Sequence, residues 1–251
     1  MTNLSAIILT NNSYTTLKDC LASVSFCDEI IVIDDFSSDQ SVNLARKMGG
    51  IVYERALNNN FSSQRNYGLS KAKGEWILFV DADEVVDKRL RHEILDSLCK
   101  PYDGYLIKRV NFFGNKKMLH GEVGNACFVR LAKKNKGKWT RNVHETWEIQ
   151  GEVGILKYPI LHYPDYSISS TLAKIDKYSS LHAQANKKEG KTSSLTKIVI
   201  FPLVKFINNY FFKLGFLDGI EGFIICYTMS FHSFLSWSRL WLNQKNITSQ
   251  Q

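Results

Sequence analysis

The chain has 251 residues, 44% of them hydrophobic and 22% charged, with a formal net charge of +8. That length can bury a real core, and the mix is that of a globular protein, which sets aside disordered and fibrous classes. Five scattered cysteines with no CxxC spacing exclude a disulfide framework or a cysteine-based zinc site and suit a reducing cytoplasm.

The first hundred residues alternate strand and helix. Leu4–Leu9 reads as a first strand entered directly from the N-terminus, with no basic region or cleavage signal ahead of it. Thr10-Asn11-Asn12-Ser13 forms a loop that can cap a helix over Tyr14–Val24. A second strand, Glu29–Ile33, leads into the polar turn Asp34–Asp39, where Ser38 or Asp39 can cap a helix running to Met48. Gly49-Gly50 ends that helix, and Ile51–Glu54 is a third strand. A helix near Ser62–Ala72 follows, Gly74 stops it, and Trp76–Val80 is a buried fourth strand. This order predicts a mostly parallel sheet flanked by helices. The chain has neither GxGxxG nor a P-loop.

After a helix near Lys88–Leu98, strands at Gly104–Val110 and Cys127–Leu131 suggest an antiparallel appendage over residues 101–165. Ser169 or Ser170 can cap a helix through Lys187, with Leu172, Ile175, Tyr178 and Leu181 on one face. Two apolar segments follow: Leu195–Phe216, broken by Pro202, Lys205 and Lys213, and Ile220–Trp237, in which only Glu221 is charged. The second is borderline for a span of about 20 apolar residues, so lying in the interface is the more economical expectation. From Thr171 onward ten lysines and arginines face four acidic residues, so a basic, apolar end is expected to meet an anionic membrane surface. No nucleic-acid recognition motif accompanies the charge, and no nucleic-acid partner is expected.

Two strands end in acid: the second in Asp34-Asp35, the fourth in Asp81-Ala82-Asp83-Glu84. Carboxylates at i and i+2 on the carboxyl end of a parallel strand stand where open α/β sheets bind ligands. They suit a divalent cation shared with phosphates. The pattern points to a nucleotide–metal site.

These residues carry a resemblance. Ala6–Asn12, Asp28–Asp34, Gln64-Arg65-Asn66, Gly74–Leu78, Asp81–Glu84, Val143-His144-Glu145, Leu161-His162-Tyr163 and Gly215–Gly219 together resemble family 2 glycosyltransferases of the GT-A fold. The likeness is greatest to bacterial lipopolysaccharide-core enzymes that add a glucose-type sugar to inner-core heptose. It implies a nucleotide-sugar-binding half over 1–100, an acceptor-side half over 101–165 and a helical, apolar, membrane-associating region over 166–251. It implies Thr10, Asn12, Asp34, Asp35, Arg65, Asp81 and Ala82 as nucleotide-sugar-binding residues and Asp83 with Asp81 as ligands of Mn²⁺ or Mg²⁺. Glu145 is the implied general base beside His144, with Glu122 in reserve. Asn11 stands where the family usually places an aromatic on the base, and Phe36 is the replacement at hand. The stretch before Arg130 is expected to face the acceptor.

The implied activity is inverting transfer of a hexose, glucose first among them, from a UDP-sugar or similar donor to a lipid-linked saccharide, at the cytoplasmic face of the inner membrane. Two rivals stand beside it: a transferase that loads polyprenyl phosphate, and a non-catalytic membrane scaffold that only binds a nucleotide sugar.

Overall fold

The computed structural model describes residues 3–141 and 145–245. The chain divides into two compact units, one of residues 1–112 with 126–163 and one of residues 113–125 with 164–251.

In the first unit, β1 (Leu4–Thr10), β2 (Glu29–Asp34), β3 (Ile51–Glu54) and β4 (Trp76–Asp81) alternate with α1 (Tyr14–Ser23), α2 (Ser41–Lys47) and α3 (Phe61–Lys71). The short β5 (Glu84–Val85), α4 (Lys88–Ser97) and β6 (Gly104–Phe113) follow. β7 (Lys116–Met118) falls in the second unit; β8 (Cys127–Lys133), β9 (Gly137–Thr140), β10 (Thr146–Ile149), β11 (Val153–Ile155) and β12 (Ile160–His162) return to the first. The strand order is β3-β2-β1-β4-β8-β6-β12-β5. β1 to β4 run parallel, while β8 is antiparallel to both β4 and β6. Within this unit β8 and β6 extend the same sheet, because β8 pairs directly along β4, while among the described residues β9 and β10 form a separate antiparallel ribbon.

The core follows the two-residue period of the strands. Trp76, Leu78 and Val80 of β4 face one side with Ala6 and Ile8 of β1, against Leu17 and Leu21 of α1 and Leu90 and Ile94 of α4. Ile77 and Phe79 face the other side with Ile7, Ile31 and Ile33, under Trp139 and Trp147 of the ribbon. Both faces are covered, which is why these strands read as unbroken apolar runs. Gly68 lets α3 lie close on the sheet, since a Cβ there would stand 2.7 Å from Ile7 Cγ2.

α1 and α4 start at Tyr14 and Lys88 as expected, while α2 and α3 start a residue or more away. The Asn60 carboxamide caps α3 by accepting from Ser63 N at 2.9 Å. α2 begins at Ser41, whose N–H donates to the Asp39 carboxylate.

In the second unit α5 (Ile168–Lys188) is capped by Ser167, not Ser169 or Ser170, and Asp165 in turn accepts from Ser167. Ile175 and Leu181 are buried but Leu172, in the first turns, is half exposed. α6 (Leu195–Ile207) runs unbroken through Pro202 and continues into a π turn at Asn208–Phe212. A 3₁₀ turn at Gly215–Asp218 precedes α7 (Gly219–Gln244), on which α5 and α6 pack. Asp218 is more than a turn residue: its carboxylate accepts from Leu119 N, His120 N and His120 Nδ1. By length and composition the described helical stretch that could cross a membrane is Leu195–Phe212, with a mean hydropathy of 1.2, and not Ile220–Trp237. The five cysteines are free.

Candidate active site

Register brings the carboxyl ends of the parallel strands level. Thr10 of β1 stands opposite Asp34 of β2, and Asp81 of β4 opposite Leu9. The chain leaves β1 toward β2 on one side, while β4 flanks it on the other, so this edge is a topological switch point.

On the β2 side the acids organise the turn. Asp34 is fully buried and its carboxylate accepts from Ser37 N at 2.8 Å and Ser37 Oγ at 2.5 Å. Asp35 Oδ1 accepts from Leu57 N at 2.8 Å. Asn12 accepts through Oδ1 from Ser38 N and Asp39 N, and its own N–H donates to Ser37 Oγ. Thr10 Oγ1 is buried with no hydrogen-bond partner among the described residues. Phe36 is held at φ +49° with 63% of its surface exposed, a conformation a bulky side chain takes only under constraint.

On the β4 side two buried arginines converge on Asp81. Arg65, on α3, donates to Asp81 Oδ1 at 2.8 Å and to Glu145 Oε1 at 3.0 Å, and lies 4.7 Å over the Trp139 ring. Arg130, inside β8, donates to Asp81 Oδ2 at 2.7 Å and to Glu84 Oε1 at 3.1 Å. Burial pushes the Asp81 carboxyl up, but the Arg130 and Arg65 guanidiniums outweigh it and hold it well below the usual carboxylate range. Glu84 has no exposed surface, and burial raises its carboxyl against the pull of Arg130. Its Oε2 accepts from Asp81 N at 2.9 Å, fixing the end of the strand. Beneath, the Cys20 thiol donates to the Asp81 carbonyl, and burial raises it further from ionisation.

Asp83 turns the other way. Its carboxylate, 30% exposed, lies 3.2 Å from His162 Nε2. β12 pairs with β5 so that His162 stands opposite Glu84, and Tyr163 N donates to the Asp83 carbonyl. His162 Nδ1 is 2.6 Å from Asn111 Oδ1. The two contacts, one at each ring nitrogen, fix the orientation of the imidazole between Asn111 and Asp83. A carboxylate and an oriented imidazole fit part of a divalent-cation shell. Among the described residues no group of three His, Cys, Asp or Glu converges.

The structure thus brings Arg65, Asp81 and Glu145 together, while Asp83, beyond Ala82, meets His162 instead; Thr10, Asn12, Asp34 and Asp35 lie along the same strand edge. His144 lies outside the described residues. Glu122 is in the second unit, 3.4 Å from Lys205 Nζ. Sequence reasoning did not find the links from Arg130 to Asp81 and Glu84 or from His162 to Asp83. The available signal was a lone arginine within the strand sequence Cys127–Lys133.

Residues 5–151, more than half of the chain, match the family model described as Glycosyl transferase family 2. The chain is 27% identical to a lipopolysaccharide core biosynthesis glycosyltransferase, LpsC, of Rhizobium meliloti over 95% of its own length and 92% of that protein. It is 28% identical to an uncharacterized glycosyltransferase of Rickettsia conorii over 94% and 89% of the two chains. Among solved structures, glucosyl-3-phosphoglycerate synthase from Mycobacterium tuberculosis superposes with a TM-score of 0.51 at 14% identity, covering 76% of this chain and 81% of that one. S. aureus TarS 1-349 superposes with a TM-score of 0.50 at 14% identity, covering 99% and 93%. These likenesses make the architecture GT-A.

Proposed function

The chain belongs to glycosyl transferase family 2, and from that premise we propose that it moves a hexose, glucose first among candidates, from a nucleoside diphosphate sugar to a lipid-linked saccharide of the lipopolysaccharide-core kind. The observation that carries the reading is the bridge made by Arg65. One buried guanidinium ties Asp81, at the donor edge of the sheet, to Glu145, the candidate base on the acceptor side. Both carboxylates are thereby held in fixed geometry, as a single inverting displacement requires. Glu145 takes the acceptor hydroxyl proton, Asp81 orients the donor ribose, and the turn built by Asn12, Asp34 and Asp35 receives the nucleoside. Asp83 and His162 would hold Mn²⁺ or Mg²⁺. Such an ion, when bound, supplies charge neutralisation for the departing diphosphate.

The acceptor class is supported by the likeness to LpsC and by the second unit. Leu195, Phe212 and Ile220 are 73%, 78% and 67% exposed there, beside Lys197, Lys205 and Lys213. Apolar side chains in water next to lysines suit peripheral attachment to an anionic cytoplasmic leaflet.

The test incubates the purified full chain with UDP-, GDP-, ADP- and dTDP-sugars, with and without extracted lipopolysaccharide, and counts released nucleotide. We expect release from one donor, stimulated by lipopolysaccharide and abolished by EDTA. Glu145→Gln should lose about 10²–10⁴-fold in transfer rate while still binding donor. Stimulation by polyprenyl phosphate alone would replace the acceptor, and donor binding without release under any condition would replace catalysis with a sensing function.

A further inference from the structure

Three guanidiniums reach the acidic cluster, and they are used differently. Arg65 and Arg130 donate to Asp81, Glu84 and Glu145. Arg109, on β6, makes no side-chain hydrogen bond among the described residues. Its Nη1 is 3.7 Å from Glu84 Oε1, beyond hydrogen-bond reach, and that oxygen already accepts from Arg130 at 3.1 Å. Its Nε is buried without an acceptor, but the Nη groups are not enclosed in this way, and 24% of the side chain is exposed.

An aromatic ring holds this guanidinium in place. Arg109 lies 5.0 Å over Phe128, on the neighbouring strand β8, and that ring is 40% exposed. A guanidinium attracted to a ring through its face keeps the N–H groups of its edge for planar contact with a carboxylate or phosphate. By the two-residue period Arg109 shares a face of β6 with Asn111, which meets the same His162 that meets Asp83. The strand order separates Arg109 from the donor edge. The turn after β2 lies on one side of β4, and β8 and then β6 lie on the other. At about 4.8 Å per strand, β6 runs roughly 10 Å past β4, away from the proposed nucleoside turn.

We infer that Arg109 binds an anionic group, phosphate or carboxylate, on the acceptor saccharide, with Phe128 as the residue that positions it. Glu84 has no exposed surface, so it meets Arg109 from the buried side while the ligand meets the Nη groups from solvent. The cation then stands between the two negative charges. A neutral sugar leaves these donors without the charge-assisted bonds they are placed to make. The inference deepens the acceptor reading above and rests on it.

The test gives the full-length protein three acceptor preparations: extracted lipopolysaccharide, the same material stripped of phosphate with hydrofluoric acid, and the same material with its carboxyl groups reduced. Donor-dependent nucleotide release and direct binding are both measured for each. One of the two treatments should lower acceptor kcat/KM and affinity about 10–100-fold, and which one does so identifies the anion. Arg109→Gln should bring the intact and treated acceptors to within about threefold of each other, with the change in acceptor KM and not in donor KM. Arg109→Lys keeps a cation beside Glu84 but loses the planar fork, so it should recover only part of the preference, and it decides the matter if the glutamine variant does not fold. A cation that serves only to neutralise Glu84 predicts a lowered melting temperature in Arg109→Gln with the preference intact, and that result overturns the inference. A rise in donor KM in place of acceptor KM overturns it too. Equal use of all three preparations by the unaltered protein overturns the inference and leaves the transferase reading standing. If no preparation binds or stimulates release, the acceptor reading falls and the inference falls with it.

Discussion

Arg130 is where charge and fold are most tightly joined, and Arg130→Met is the most discriminating substitution. Methionine keeps the unbranched body of the side chain but removes the cation. Arg130 is 6% exposed, 2.7 Å from Asp81 and 3.1 Å from a Glu84 with no exposed surface. Its loss leaves the buried Glu84 with Arg109, 3.7 Å away, as its remaining ion-pair partner among the described residues. Breaking a buried pair from one side costs about 3–5 kcal/mol. At about 2–4 °C per kcal/mol for a chain of this size, the melting temperature should fall by about 6–20 °C. The Arg46–Glu54 pair is the control. Its side chains are 57% and 45% exposed, and Arg46→Met should change stability by less than about 0.5 kcal/mol.

The penalty has a definite pH sign. Asp81 is depressed in the native state, so its contribution is present above the ordinary aspartate range and is lost as pH falls through the native value. Glu84 is raised, so it costs stability increasingly as pH climbs from the ordinary glutamate range through its native value. Removing Arg130 weakens the first shift and enlarges the second, and both make the variant relatively worse at higher pH. Calorimetry at about pH 5 and about pH 8 should show the larger gap at the higher value. Adding Glu84→Gln should recover about 1–3 kcal/mol, since the buried charge disappears while an amide oxygen remains for Asp81 N. A melting shift under about 2 °C, or a gap that does not depend on pH, would refute the argument that Arg130 neutralises a buried acidic pair.

Other substitutions test the rest of the site. Gly68→Ala places a methyl 2.7 Å from Ile7 Cγ2 and lifts α3. Arg65 sits one turn earlier, so kcat/KM should fall roughly tenfold to a hundredfold while stability changes by only about 0–2 kcal/mol. Asn111→Leu removes the acceptor that orients His162. Calorimetric titration with Mn²⁺ should then show affinity weakened about 10–100-fold, and an unchanged isotherm would count against His162 as a ligand. Phe36→Gly relieves a positive φ at an exposed aromatic and should stabilise the fold by about 1 kcal/mol. The same change should raise the donor KM roughly tenfold if Phe36 stacks on the base, and an unmoved KM would exclude that contact.

The limits of sequence reading follow from the range of the interactions. β1, β2 and β4 were legible because burial on both faces writes a continuous apolar run, and β3 because it is bounded by Gly50 and a charged turn. β8 was placed too, but β5, β7 and β9 to β12 were harder. Several are two to four residues long, such as Glu84–Val85 and Val153–Ile155, too short to show a period. At the site, carboxylates on strand ends announced themselves, but their partners did not. Arg130 reaches Asp81 across 49 positions and Arg65 reaches Glu145 across 80. Nothing local specifies either pair. The two arginines share a reason that geometry supplies. Arg65 comes from α3 above the sheet and Arg130 from β8, which runs antiparallel along β4, and both reach Asp81. Without them, Asp81 and Glu84 would repel each other across a buried strand end. With them, Asp81 stays ionised, Asp83 is left 30% exposed, and the acidic cluster presents one partly free carboxylate beside an oriented histidine. The arginines thus leave one acid of the three-residue motif doubly paired and the other partly free, a division the motif itself does not spell out.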